Sequence, residues 1–439
     1  MSRQSIRNVL RTSGNALKAN VATSSVTKAS HGRQRASLSL SHGTETIDTS
    51  CVRLVTRAGL ACAIFVMPGA RQIAVVDGAM LCPELDDVLD KIRSKIILLS
   101  YLTADQRRRI FSPHHVQKLR NDPIPLDVNG EIVQFTHMDL FNDIPNARAA
   151  TIDAVGRMTT RADFQNLPRL LEGLHRSSRR LRQADYARIA RRAGERQCII
   201  AVIESAAQVQ RTGFRLESSE VVAEILTHVQ MKAVDSNWDE AETRQALRWA
   251  EQVIDLLQRP DHGRRPPRQQ THRGSFSDNS SAATAPLPPP PTYPLDRDPQ
   301  VLAARLHLAA VVADKFAPGG ADTDGKVSRY ATELVQLWPA GGKGLRALSP
   351  AETYTDRRGE MHYLSVDNKF LGVGAPLLHG LDTAIRVLGG SQGDSAALAG
   401  ELQSRRDALA VEVNAALEAA PDRRGAVIYK KVFGESTEA

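Results

Sequence analysis

Between positions 176 and 192 the chain places seven arginines, Arg176, Arg179, Arg180, Arg182, Arg188, Arg191 and Arg192, around a single acid, Asp185. A guanidinium keeps its charge at physiological pH and presents a planar fork of donors, so a surface carrying several of them suits phosphate. Each phosphate contact releases counterions, and affinity then falls with salt. The run favours a nucleic acid, RNA above all. An acidic protein partner or a solvated helix face accounts for the same residues. Tyr186 lies inside the cluster but equally fits a helix-core position, so no base stacking follows from it.

Other candidate chemistry falls away on spacing. Gly341-Gly-Lys-Gly344 lacks the four-residue gap and the following Ser or Thr of a phosphate-cradling loop, and Gly372-Val-Gly374 lacks the third glycine of a dinucleotide fingerprint. The first reads as a loop and the second as a turn or close-packing point before Pro376. His114 and His115 are adjacent, hence about 100° apart on a helix, which does not make a ligand pair. Glu360 and His362 would share a face only on an extended segment, where an exposed hairpin face is the commoner cause. Cys51, Cys62, Cys82 and Cys198 form no CxxC pair, and Cys198 precedes an apolar stripe as a buried structural thiol would. The sequon at Asn279 lies in low-complexity sequence with no secretory signal before it. No catalytic residue, metal ligand or cofactor is assigned, and a non-enzymatic protein is expected.

The elements that position the arginines are helical. Leu167, Leu170, Leu171 and Leu174 form one stripe, Tyr186, Ile189, Ala190 and Ala193 a second, and Ile199, Val202, Ile203, Ala206 and Val209 a third. Val222, Ile225, Leu226 and Val229, then Ala246, Leu247, Ala250, Val253, Ile254 and Leu257, make two more. Such i, i+3, i+4 spacing predicts amphipathic helices, which must bury their faces against one another as a bundle or a stacked helical-hairpin array. Thr212-Gly213 should close the third helix with a left-handed cap. Upstream, an apolar helix begins near Pro83, and Thr103-Ala-Asp-Gln106 predicts a capping box opening a helix to about Leu119. Short apolar runs from Cys51 to Met80, broken by Pro68-Gly69 and Asp77-Gly78, predict minor β structure near the N-terminus.

The expected fold class is mostly α, with five segments along the chain: 1–44, a mixed or helical region 45–149, the repeat-like domain 150–258, a Pro-rich linker 259–300 and a helical C-terminal domain 301–439. The linker holds 10 of the 22 prolines and predicts disorder and independent motion of the flanking parts. In the C-terminal part, helices are expected at 301–316, 327–338, 371–388 and 396–419, a small hairpin over 354–364, and a terminal strand or short helix at 427–432.

Charge distribution adds a compartment. Of the net +8, residues 1–44 carry +7 with no acid at all, leaving +1 for the remainder. The same segment has 13 Ser or Thr, and Arg3, Arg7, Arg11 and Lys18 oppose Ile6, Val9, Leu10, Ala16 and Leu17 on a helical projection. A cleavable mitochondrial presequence is built this way, and the matrix is the expected location. The longest apolar run, 58–67, is about half what a bilayer span needs.

A presequence followed by consecutive helical pairs resembles the divergent fungal mitochondrial pentatricopeptide-type proteins. The likeness is best over Gln197–Leu226, where helix Cys198–Glu204 is followed by Gln210-Arg-Thr-Gly-Phe214 and the next helix. Starts near Asp163, Arg196 and Asp239 give spacings of 33 and 43 residues, so no base-reading positions are carried over. The resemblance implies a helical scaffold in organellar gene expression, with RNA or a mitoribosomal particle as partner. The competing expectation is an assembly factor or accessory subunit of a respiratory complex, using the same helices for protein contacts.

Overall fold

The structure, a computed structural model, describes residues 83–128, 130–263, 289–390 and 394–434. The presequence, the strand-like run 51–80, Cys51, Cys62, Cys82, the sequon at Asn279 and the proline-rich stretch 264–288 lie outside the described residues.

The described chain is mostly α-helical with one two-stranded sheet, in agreement with the periodicity. Helix α1 (Pro83–Ile92) runs on through a π turn and a 3-10 turn to Ser100. At Thr103 the capping box forms: Gln106 N–H donates to Thr103 Oγ1 at 3.3 Å and Thr103 N–H to Gln106 Oε1 at 2.9 Å. The helix it opens, α2 (Ala104–Phe111), stops well short of Leu119. Pro113 forces Ser112 into extended geometry, and a 3-10 turn leads to α3 (Val116–Asn121). Strands β1 (Ile124–Val128) and β2 (Glu131–Phe135) then pair antiparallel, Ile124 opposite Phe135 and Val128 opposite Glu131. Val128 and Phe135 close a small core with Leu98, Leu99, Leu102 and Ile110, separate from the main one.

Eight helices follow in the middle region: α4 (Ala147–Arg157), α5 (Arg161–Gln165), α6 (Leu167–Arg176), α7 (Gln183–Glu195), α8 (Ile199–Ala207), α9 (Val209–Thr212), α10 (Ser219–Asp235) and α11 (Glu240–Leu257). All five sequence stripes are buried. Gly213 adopts φ +68° and caps α9 as its sequence predicts.

The C-terminal helices are α12 (Pro299–Phe316), α13 (Lys326–Leu337), α14 (Ala351–Thr355), α15 (Asp367–Gly389), α16 (Asp394–Ala419) and α17 (Arg424–Phe433). The expected hairpin over 354–364 is instead the end of α14 and a 3-10 turn at His362–Ser365. Thr353 Oγ1 donates to Pro350 O at 2.6 Å and Met361 N–H to Thr353 O at 3.2 Å, closing the segment on itself. Residues 427–432 are helical, with Ile428 and Val432 buried one turn apart.

The expectation of independently moving halves does not hold, while the core of the Pro-rich segment, 264–288, lies outside the described residues. His262 is buried and its Nδ1 accepts Leu216 N–H at 3.1 Å, while Leu295 is buried and Tyr293 Oη donates to Leu337 O at 2.7 Å. Both ends of the Pro-rich segment are therefore part of the fold. One hydrophobic core runs from Leu85 to Ala416, and α10 packs on α7 and α11 as well as on α12, α15 and α17. Apolar faces on both sides gain more by joining than a tether gains by leaving them apart.

Two polar networks mark that joint. Gln300 Nε2 lies 2.6 Å from Ser219 Oγ and 3.0 Å from Tyr363 Oη, all three side chains buried. Deeper, His307 Nδ1 is 2.8 Å from Gln230 Oε1, an acceptor, so Nδ1 carries the proton and Nε2 accepts from His379 Nδ1 at 3.0 Å. Trp238 stacks on His379 with centroids 5.4 Å apart. Burial drives His379 down to about 4 and His307 well below its ordinary value, so both rings are neutral. Helices α12 and α15 approach this closely because residue 380 is glycine: a Cβ there would stand 2.5 Å from that of His307.

Candidate nucleic-acid interface

The seven arginines sit on the end of α6, on the loop 177–182 and on α7, so three of them occupy a loop and not helix faces. The structure divides them by what they touch. Arg176 pairs with buried Glu172 at 2.6 Å, and Glu172 also receives Arg211 at 2.6 Å. Arg192 pairs with Glu195 at 3.2 Å on the surface. Arg191 points back into the fold: its Nε and NH2 donate to Glu224 Oε1 at 2.9 and 2.5 Å, with Glu220 3.8 Å away. Helix periodicity explains this, since Ala187 and Ala190 on the same side of α7 are buried.

Glu224 is the hub of a network across the joint. Arg424 of α17 reaches its Oε2 at 3.3 Å and His228 Nε2 at 2.8 Å. Burial would raise the Glu224 carboxyl, but the Arg191 hydrogen bond and the Arg424 charge outweigh it and hold the group below its ordinary range. His228 goes down to about 4, from burial first and the Arg424 charge second. Lys369 meets Glu220 at 2.6 Å beside it. Sequence reasoning grouped Arg191 with the surface set; what separates it is its carboxylate partner Glu224, 33 positions away, which no local pattern reveals.

Arg179, Arg180, Arg182 and Arg188 are exposed and form no ion pair with another described residue. The lone acid among them does not neutralise them. Asp185 is buried and clamped by Arg148 of α4, Nε to Oδ2 at 2.6 Å and NH2 to Oδ1 at 2.8 Å, and it accepts the Arg182 N–H at 3.0 Å. That bidentate hydrogen bond outweighs burial and lowers the Asp185 carboxyl. Arg148 thus withdraws the one acid within the run and pins the loop end to α4. Arg179 and Arg180 flank a cavity of about 240 Å³ whose wall includes His175, Tyr186, Arg215 and Glu217, the last paired with Arg215 at 3.5 Å. Tyr186 is buried against Phe214, ring centroids 4.7 Å apart and edge-on, so it serves the core as much as the cavity. Arg188 and Arg192, four residues apart, continue the basic face along α7.

Cys198 is buried, its thiol raised by desolvation and donating to Arg196 O at 3.2 Å, as expected of a structural cysteine. Gly341 and Gly342 lie in a loop at φ +116° and +70°. Among the described residues no cluster of His, Cys, Asp and Glu could hold a metal, and no helix is long and apolar enough to cross a membrane.

These features define a helical scaffold that presents an un-neutralised arginine loop. The chain matches, over residues 81–432, the family described as mitochondrial ribosomal protein mS27. It is 32% identical over 362 residues to the small ribosomal subunit protein mS27 of Neurospora crassa, covering 80% of this chain and 86% of that protein. The chain belongs to the mS27 family of mitochondrial ribosomal proteins.

Proposed function

We propose that the chain is a constituent of the small subunit of the mitochondrial ribosome that touches ribosomal RNA through Arg179, Arg180, Arg182, Arg188 and Arg192. It acts in organellar gene expression, in the matrix, as a mitoribosomal protein. The observation that carries the assignment is the family match across nearly the whole described chain, together with a relative that aligns over 86% of its own length. It favours the ribosomal particle over the respiratory-complex alternative. The role is structural, not catalytic.

The RNA contact itself rests on the charge geometry: four exposed arginines without carboxylate partners, beside an acid already consumed by Arg148. Guanidinium groups so placed keep their full capacity for phosphate. Helices α6 to α11 act, in this account, as a hairpin scaffold of the pentatricopeptide kind, giving shape without a nucleotide code. Residues 1–44, acid-free at +7, direct import as a cleaved presequence. The division at 150–258 and 301–439 marks two sequence regions folded on one core.

Sucrose-gradient sedimentation of a C-terminally tagged chain from isolated mitochondria tests the assignment. Co-migration with the small subunit, lost when RNase disassembles the particle, is expected. Migration as free protein, or with a respiratory complex after RNase treatment, contradicts it.

A further inference from the structure

The small lobe built on β1 and β2 carries large apolar side chains that the fold leaves in water. Phe141 is 88% exposed, Leu140 51% and Ile132 67%, in a protein whose other large apolar residues are mostly buried. Phe141 does not hang on a loose loop. Asp139 Oδ1 accepts its N–H at 3.0 Å, Asp139 Oδ2 accepts Asn142 Nδ2 at 2.6 Å, and Asp143 Oδ2 accepts Asp139 N–H at 2.7 Å. Before the turn, Met138 N–H donates to Ile110 O of α2 at 3.2 Å, and Met138 and Ile144 pack on the lobe's own core. The turn therefore holds Leu140 and Phe141 outward in a fixed place, the condition under which an exposed aromatic serves as an anchor and not as a solvation cost.

Charge selects the occupant. From 121 to 147 the chain has five acids, Asp122, Asp127, Glu131, Asp139 and Asp143, and no Lys or Arg, whereas residues 45–439 as a whole carry +1; the exposed cations of the lobe, Arg107, Arg108, Arg109, Lys118 and Arg120, are on α2 and α3 and not in the turn. Arg93 neutralises only Glu131, at 2.6 Å. Two carboxylates flank Phe141 directly, which repels a phosphate backbone and attracts cationic side chains.

We propose that the Asp139–Asp143 turn docks into an apolar cleft rimmed by Lys or Arg on a basic protein neighbour. This rests on the reading of the chain as a small-subunit constituent, and it assigns protein contact to this face while the arginine loop contacts RNA.

The test places photoreactive p-benzoylphenylalanine at position 141 of the full chain in mitochondria and irradiates purified small subunits. The expected product is a crosslink to one other protein within a Lys- or Arg-rich segment. A crosslink to RNA would mean that the neighbouring basic residues of α2 and α3 set the contact, and would overturn the proposal. So would a crosslink to the same chain or a second copy, or no crosslink, in subunits that contain the tagged chain. Absence of the chain from small subunits would instead remove the functional assignment and this inference with it. As a second readout, Phe141→Ser should lower salt-resistant recovery of the crosslinked neighbour by about tenfold or more, the scale of an aromatic hot spot. The melting temperature should not move, because an 88% exposed ring contributes little to the fold; unchanged recovery contradicts the docking role.

Discussion

Arg188 and Arg191 are three residues apart on α7 and do opposite work. Arg188 faces solvent without an ion pair, whereas Arg191 is half-buried against Glu224. Truncating Arg191 to Ala leaves a buried carboxylate with only Arg424 beside it. We expect a loss of about 2 kcal/mol in urea unfolding, below the 3–5 typical of a fully orphaned buried charge because Arg424 stays. Arg188→Ala should leave the unfolding midpoint in place. Conversely, replacing Arg179, Arg180, Arg182 and Arg188 with Gln should weaken RNA binding and flatten its salt slope by roughly one unit per arginine removed, as read by fluorescence anisotropy across a salt series. An unchanged slope would mean that these side chains meet no phosphate. The concentration of arginines was legible in sequence because charge needs no fold to be counted. Which of them turns inward was not, since that depends on a carboxylate 33 positions away.

At the scale of elements, stripes that recur every three to four residues became buried helix faces, because the same periodicity governs burial and folding. The hairpin at 124–135 went unseen although the Asn-Gly pair at 129–130, flanked by alternating apolar residues, is the standard sequence sign of a two-residue turn. Pro113 likewise marks the break between α2 and α3. The buried histidines were illegible, since His307 and His379 meet only when α12 and α15 cross at Gly380. Their packing gives a pH prediction. Burial holds His228 and His379 near 4 when folded and His307 well below its ordinary value, against about 6.5 in the unfolded chain. Between those values the unfolded state binds the extra protons, so stability is complete above about pH 6.5 and falls as pH drops toward 4. Each such histidine contributes up to about 1.4 kcal/mol per pH unit. Thermal melts at pH 7, 6 and 5 should show a falling midpoint, which His379→Gln makes shallower; equal slopes would place the acid sensitivity elsewhere. Gly380→Val should prevent the α12–α15 approach and lower the melting temperature sharply, read by circular dichroism.

For the whole molecule, the proline-rich segment suggested two bodies on a tether, because composition reports what cannot build a core and is silent on what its neighbours bury. The flanking helices share one core, and the Gln300–Ser219–Tyr363 and Glu224–Arg424 contacts tie the joint. A chain cut at a protease site inserted between 264 and 288 should therefore remain one particle in gel filtration and unfold in a single transition; separation into two species would contradict the common core. The arginine loop and the acidic turn at Asp139–Asp143 are separate features, the first suited to RNA and the second to protein. The central claim is that the arginine loop lies on ribosomal RNA. Ultraviolet crosslinking of purified small subunits, followed by mass spectrometry of nucleotide-bearing peptides, tests it most directly. Adducts on peptides spanning residues 179–192 are predicted; a chain present in the subunit whose adducts all lie elsewhere would contradict it.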